Sequence, residues 1–187
     1  TGWSGELGYE IYLHDRVHGE WLWETIMQAG EEFGITPAAP NTIRSIEGAL
    51  LSYVSDIRRE DNPYTLGLGR LVQLEKKADF LGRDALRRIE AAGNHRRLVG
   101  IEIDGEPIAG NESFWPVTES GEKLGHVSRC VFSPRLERNI GFANLPATHT
   151  ALGTPLTIDV PGGERPAAVV KAPWFPAQKD IPSDIRT

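Results

Sequence analysis

The sequence predicts an α+β protein in which a mixed region of helices and strands is followed by a small antiparallel β domain. Two observations predict this class. Apolar residues recur at helical spacing before residue 93, whereas six short β-rich runs separated by turn residues follow Arg96. At 187 residues the chain is long enough for one large domain or two small ones.

The first region contains one long predicted helix, which begins after the N-cap Asp15 and ends at Gly34. Its inward face is predicted to hold the residues at i, i+4, i+7 and i+11, namely Leu22, Ile26, Ala29 and Phe33. Trp21 and Trp23 flank that stripe. We expect them to pack in the core rather than to stack on a ligand, because aromatic residues at helical spacing usually do so.

Two shorter helices and two strands complete the first region. The elements are a helix capped by Asn41 that ends by Leu51, a helix over residues 83–92 that is followed by Gly93, and strands over residues 9–13 and 71–74. Residues 56–62 are densely charged and are predicted to form a solvated loop.

The second region is predicted to be a small antiparallel barrel or sandwich, because its short apolar runs alternate with turn signals. The six predicted strands cover residues 98–103, 115–118, 124–132, 140–144, 156–160 and 167–171. The boundary is expected near Asn94, which gives domains over residues 1–93 and 94–178 and a loose tail over residues 179–187.

Composition excludes several classes of protein. The chain is 40% hydrophobic and 25% charged and has no long apolar run, as is typical of a globular protein that does not span a membrane. A net charge of -6 gives no basic face for nucleic acid. The only cysteine, Cys130, favours a reducing compartment, so we expect the cytoplasm. Because the chain begins at Thr1 and its only methionine is Met27, we expect it to be a processed or excised piece.

The sequence contains none of the usual signatures of nucleotide-dependent or serine-hydrolase chemistry, since it lacks a P-loop, a G-x-G-x-x-G and a G-x-S-x-G segment. His14 and His18 are four residues apart, but no Glu-x-x-His and no nearby cysteine accompanies them. We therefore predict no metal site, and we expect these histidines to face solvent. Cys130 lies in an apolar run and is expected to be a buried, unreactive thiol.

Several segments, taken in order, resemble the aminomethyltransferase family that includes the glycine-cleavage T-protein. Residues 3–11 resemble the family's aromatic-Thr-Gly-Glu-Asp-Gly-x-Glu-Ile segment, and residues 46–48 and 53–57 resemble its Leu-Glu-Ala-Gly and Tyr-Gly-Asn-Asp-Ile segments. Residues 67–86 resemble its linker, residues 133–141 its Ser-Pro-x-Leu-x-x-Asn-Ile signature, and residues 171–175 its closing Pro-Phe strand end. The resemblance implies a partial central α+β region followed by a small antiparallel C-terminal β-barrel.

The resemblance also implies a tetrahydrofolate cofactor, with Glu6 as the carboxylate that holds the pterin ring. A carboxylate suits this role, because its two oxygens accept the adjacent amino group and ring N–H of a pterin. Composition alone would instead make Glu6 a solvated turn residue. Trp3 replaces a tyrosine common in the family and is expected either to pack on the ligand or to fill the core.

Departures from the family's pattern concern two arginines that flank its Leu-Glu pair. With Glu47 as the anchor, their positions hold Asn41 and Ser45, while Arg44 lies one residue off. One residue on a helix is about 100° of rotation, so the Arg44 side chain leaves the helix in a different direction from that of either arginine. We keep Arg44 as a candidate cofactor-binding residue; the alternative is an exposed residue or a helix pair with Glu47.

The predicted function is that of a C-terminal fragment of a tetrahydrofolate-dependent, T-protein-like aminomethyltransferase. The alternatives are a folate-dependent demethylase of a methylated sulfur, oxygen or nitrogen donor, and a non-catalytic folate-binding module. The family's catalytic aspartate lies upstream of these residues, so we expect no catalytic residue here and an inactive fragment. Asp56 is expected to structure its loop. The implied partners are folate, a small one-carbon donor or a lipoyl carrier protein, and the missing N-terminal part of the chain.

Overall fold

A computed structural model describes residues 7–93 and 95–176 and has a six-stranded closed β-barrel preceded by helices and loops. The strands are β1 (Arg96–Ile103), β2 (Trp115–Glu119), β3 (Glu122–Ser133), β4 (Arg138–Pro146), β5 (Pro155–Val160) and β6 (Gly163–Val170). They close in the order β1-β4-β3-β2-β5-β6, and every pair is antiparallel. All six predicted strands are confirmed, and of the two predicted architectures the barrel is correct.

The barrel interior is filled by aliphatic side chains, because alternate residues of each strand face inward. The fully buried members include Ile101, Val117, Val127, Leu145 and Ile158. A register shift in β3 between Val127 and Arg129 makes Ser128 the extra residue of a β-bulge. Opposite this bulge, a Cβ at Gly141 would overlap the Arg129 carbonyl oxygen, so only glycine allows β3 and β4 to approach this closely.

In the described part of the chain, three helices precede the barrel, namely α1 (Gly19–Gly30), α2 (Thr42–Glu47) and α3 (Arg83–Ala92). The predicted caps are confirmed, since Asp15 caps a 3-10 turn that leads into α1 and Asn41 caps α2. A second 3-10 turn follows α1 and ends at Gly34, which has a φ of +69°. The second helix ends at Glu47, before Leu51, as predicted.

Several expectations for the first region are wrong. Phe33, which is predicted to lie on the inward face of the long helix, is 81% exposed. Residues 9–13 form no strand, because nothing in the described part of the chain pairs with them, and residues 71–74 lie at and after a 3-10 turn over Gly69–Leu71. Trp21 and Trp23 are 62% and 53% exposed rather than packed. Residues 7–35 therefore present a largely uncovered apolar face.

Helix α2 packs the first region against the barrel. Ile46 is fully buried against Ile140 and Phe142 of β4, which forms a second small core. The carbonyl oxygen of Glu47 accepts backbone hydrogen bonds from Trp174 and Phe175 after β6. Within the described residues, no helix is long and apolar enough to cross a membrane.

Candidate functional site

Three residues are predicted from the sequence to bind folate, and the structure describes one of them. Glu6 and Trp3 fall outside the described residues. Arg44 lies on α2 and is half-buried. The geometry therefore leaves all three assignments as predictions, and the site that it does describe is a polar cluster between α2 and strand β3.

This polar cluster consists of Ser45, Glu47 and Asp56 from the first region and Ser128, Arg129 and Ser133 from β3. All six residues are buried. Consecutive residues of a regular strand point to opposite faces, yet Ser128 and Arg129 both contact Asp56. The bulge at Ser128 explains this, because an extra residue turns the side chains that follow it.

Asp56 is the centre of the cluster and is 4% exposed. Its Oδ1 accepts a hydrogen bond from Ser128 Oγ at 2.8 Å, and its Oδ2 pairs with Arg129 Nη2 at 2.5 Å and accepts from the Ser52 backbone N–H at 2.9 Å. Burying a carboxylate is tolerated only with such partners. The expectation that Asp56 structures its loop is confirmed, whereas the expectation of a solvated stretch is wrong for this residue.

Glu47 forms the second half of the cluster and is 3% exposed. Its Oε1 accepts a hydrogen bond from Ser133 Oγ at 2.5 Å. The Ser133 oxygen in turn accepts from the Leu136 backbone N–H at 3.2 Å, at the turn between β3 and β4. The residues of the Leu-Glu and Ser-Pro motifs, far apart in sequence, therefore meet at one contact.

A stack of three side chains lies at another contact of the first region with β3. The guanidinium carbon of Arg58 lies 4.3 Å from the centre of the Phe114 ring, and the same ring stacks on His126 with 4.7 Å between ring centres. Burial, reinforced by the charges of Arg58, Arg96 and Lys123 and opposed by Asp61, lowers the pKa of His126 below its ordinary value. The imidazole therefore favours its neutral form.

The buried polar groups of this cluster hold the first region against strand β3. Both carboxylate oxygens of Asp56 and one of Glu47 accept short hydrogen bonds, so neither carboxylate is presented as a free base. Burial raises the pKa of the Cys130 thiol to about 12, and the expected burial of this thiol is confirmed, whereas its low reactivity stays a prediction. Among residues 7–93 and 95–176, no group of three or more histidine, cysteine, aspartate or glutamate side chains is placed to hold a metal ion.

Sequence reasoning missed Arg129, Ser133 and the buried role of Glu47. One signal was available in the sequence. Charged or hydroxyl residues inside apolar strand segments need hydrogen-bond partners, and another of the motifs could have been searched for those partners. An open cavity of about 340 Å³ borders the cluster and is lined by Val54, Ser55, Asn111, Glu112, Ser113, Phe114, Ser128 and Arg129.

Two family models match the chain. The model of the glycine cleavage T-protein C-terminal barrel domain matches residues 96–176, and that of the GCVT N-terminal domain matches residues 1–76. Together they account for most of the chain.

The similar proteins are named either as aminomethyltransferases or as a demethylase. An aminomethyltransferase from Symbiobacterium thermophilum is 42% identical over 180 residues, which cover 94% of this chain and 46% of that protein. A second, from Synechococcus sp. (strain CC9902), is 38% identical over 178 residues, with 94% and 47% coverage. The dimethylsulfoniopropionate demethylase DmdA of Ruegeria pomeroyi is 32% identical over 174 residues, with 93% and 47% coverage.

Among solved structures, the glycine cleavage system aminomethyltransferase T from Bartonella henselae superposes with a TM-score of 0.67 over 74% of this chain and 39% of that one. Its 20% sequence identity supports the fold alone. The chain spans about half the length of the curated relatives it matches. From both family models and these relatives, we conclude that the chain belongs to the glycine-cleavage T-protein family.

Proposed function

We propose that this chain is the C-terminal half of a tetrahydrofolate-dependent one-carbon transferase. The observation that carries the proposal is the match of both family models, in order, to residues 1–76 and 96–176, together with relatives named aminomethyltransferase. The domain division at residues 93 and 94 is part of the same proposal. The lone, buried Cys130 supports a cytoplasmic location.

The three candidate cofactor-binding residues have side chains that suit the two ends of tetrahydrofolate. Glu6 would accept the two adjacent donors of the pterin through its two oxygens, Trp3 would pack against the ring, and Arg44 would face the glutamate carboxylates at the other end. Helix α2, which carries Arg44, is fixed to the barrel through Ile46 and Glu47, so it offers a rigid support. Bound tetrahydrofolate would supply the nitrogen that accepts the one-carbon unit.

The leading reaction is aminomethyl transfer from a lipoyl carrier, with a small free donor as the second possibility. A demethylase is favoured by two observations, namely Asn41 and Ser45 in place of the family's arginines and the 32% identity to a dimethylsulfoniopropionate demethylase. A non-catalytic folate-binding module is the third candidate. We assign catalysis to the upstream part of the longer protein, where positioning of donor and acceptor would provide most of the rate.

The uncovered face of residues 7–35 supports the existence of a covering partner. Tyr9, Tyr12 and Phe33 are 79%, 81% and 81% exposed, and Trp21 and Trp23 lie more than half in solvent. Exposed aromatic patches of this kind are typical of interfaces. We propose that the part of the relatives' length that this chain does not span covers this face.

The first experiment is a calorimetric titration of the full-length protein with tetrahydrofolate. Replacing Glu6 by Gln keeps the shape but removes the charge and one acceptor, and we expect affinity to fall by roughly 10- to 100-fold, the usual effect of losing a charge-assisted contact. Glu10→Gln, an exposed glutamate that accepts a hydrogen bond from Tyr12, is the matched control and should leave affinity unchanged. Equal affinities for wild type and Glu6→Gln would remove Glu6 from the site.

The second experiment separates the three candidate activities. Full-length protein is incubated with tetrahydrofolate and either an aminomethylated lipoyl carrier or methylated sulfur, oxygen and nitrogen donors. Formation of 5,10-methylenetetrahydrofolate supports aminomethyl transfer, and 5-methyltetrahydrofolate supports demethylation. Folate binding without any product from this panel would identify a non-catalytic module.

A further inference from the structure

Positive charge gathers on the barrel around the half-buried side chain of His126 on β3. Arg96 reaches it from β1, since its guanidinium donates to the Asn144 side chain at 2.6 Å and to the Leu124 carbonyl oxygen at 3.4 Å. Asn144 is the β4 residue that pairs with His126. Lys123 is exposed and lies on β3 itself, three residues before the histidine. Two cations of the barrel therefore lie beside this imidazole.

The first region adds a third cation to this patch. The guanidinium of Arg58 lies over the Phe114 ring, which stacks on His126. Arg58 is exposed, and within the part of the chain that the structure describes neither its guanidinium nor the Lys123 ammonium makes a hydrogen bond or an ion pair with another side chain. Both side chains therefore keep all their N–H donors for a ligand.

The charges of this patch are not balanced. Burial is the main cause of the lowered pKa of His126, and the three neighbouring cations add to it, whereas Asp61 alone among the described groups opposes them. Asp61 is held in place, because its Oδ2 accepts a hydrogen bond from the Arg58 backbone N–H at 2.8 Å. Three positive charges and one negative charge leave an excess of two positive charges, although the whole chain carries a net charge of -6. Such an excess attracts an anion.

We propose that this patch binds the phosphate group of a small molecule, with Arg58, Lys123 and His126 as its hydrogen-bond donors. A phosphate group suits donors that come from separate elements, because its three terminal oxygens point in different directions. Arg96, whose donors are already engaged, contributes charge. A bound anion favours the imidazolium form of His126, so phosphate and proton should bind cooperatively. The proposal does not depend on the one-carbon function.

The test follows the ring signal of His126 in the full-length protein by NMR, with the signal identified by its absence in His126→Gln. Sulfate is the probe, because it is tetrahedral like a phosphate group and its charge does not change between pH 5 and pH 8. At constant ionic strength, replacing chloride by sulfate should raise the pKa of His126, and sulfate should bind about 3- to 10-fold more tightly at pH 5 than at pH 8. A pKa that is the same in sulfate and in chloride would overturn the proposal.

Two variants distinguish a site from the general charge of the protein. Arg58→Gln should weaken sulfate binding by about 3- to 10-fold, because it removes one of the donors. Arg135→Gln is the matched control, since Arg135 is exposed and lies 3.5 Å from the centre of the Phe175 ring, so this variant loses the same charge and the same kind of aromatic contact elsewhere. It should leave binding unchanged, and equal losses in both variants would overturn the proposal.

A comparison of two ligands tests the assignment to phosphate. At pH 8, glycerol 3-phosphate and succinate carry the same charge, but only the first offers three oxygens on one centre. Glycerol 3-phosphate should bind at least about 3-fold more tightly to the wild-type protein. Succinate binding that is equal or tighter would overturn the assignment.

Discussion

Val54 is held in a backbone conformation that suits glycine, and replacing it should stabilise the protein. Its φ is +78°, a region that is costly for a β-branched residue. The loop imposes this conformation, because the Val54 N–H donates to the Ile57 carbonyl oxygen while the Asp56 and Ile57 N–H groups donate to Ser52. The family's Tyr-Gly-Asn-Asp-Ile segment has a glycine at this position, whereas this chain has valine.

The expected size of the effect follows from three contributions. Relief of the left-handed conformation contributes about 2 kcal/mol for a β-branched residue. The greater freedom of glycine in the unfolded chain costs about 0.5–1 kcal/mol. Little packing is lost, since the Val54 side chain is 72% exposed. Val54→Gly should therefore raise the free energy of unfolding by about 1 kcal/mol.

Urea unfolding measured by tryptophan fluorescence tests this expectation. Val17→Gly is the matched control, because Val17 is 71% exposed and lies in a 3-10 turn with ordinary φ. That control should give no gain. A lower midpoint for Val54→Gly, or an equal gain for both variants, would refute the assignment of strain to Val54.

Three further predictions concern buried groups. Ser133→Ala should cost about 1–3 kcal/mol, because it removes the hydrogen bond to the buried Glu47, while exposed Ser113→Ala should be near neutral in the same denaturation assay. Cys130, with its pKa raised to about 12, should resist iodoacetamide at pH 8 until urea unfolds the chain, and fast labelling of the native protein would contradict its burial. Because the pKa of His126 is lowered in the folded state, stability should rise with pH between that lowered value and the ordinary 6.5 and then level off. His126→Gln should flatten this part of the stability curve, and an unchanged slope would show that His126 does not cause it.

The barrel was largely predictable because each of its strands can be identified from the local pattern of its residues. Alternating apolar residues between turn residues defined each strand, and antiparallel neighbours need only short connections. The caps Asp15 and Asn41 were predictable for the same local reason, since a short polar side chain before an apolar stripe satisfies the first helical N–H groups.

The polar cluster was not predictable from local pattern. A bulge is a one-residue change in pairing register, and nothing in the residues around Ser128 shows that Arg129 turns toward Asp56, 73 positions earlier in the chain. The exposed Trp21 and Trp23 misled the prediction for a different reason. Helical spacing identifies an apolar face, but it does not say whether the surface that covers this face belongs to the same segment of chain.

We propose that the longer protein transfers a one-carbon unit to tetrahydrofolate. The most direct measurement supplies full-length protein with unlabelled tetrahydrofolate and donors that carry ¹³C in the transferable carbon, and follows the label by NMR. We expect the label to appear on tetrahydrofolate with the wild-type protein and to appear at a strongly reduced rate with Glu6→Gln. Absence of labelled folate with aminomethylated lipoyl carrier and with every methylated donor would contradict it.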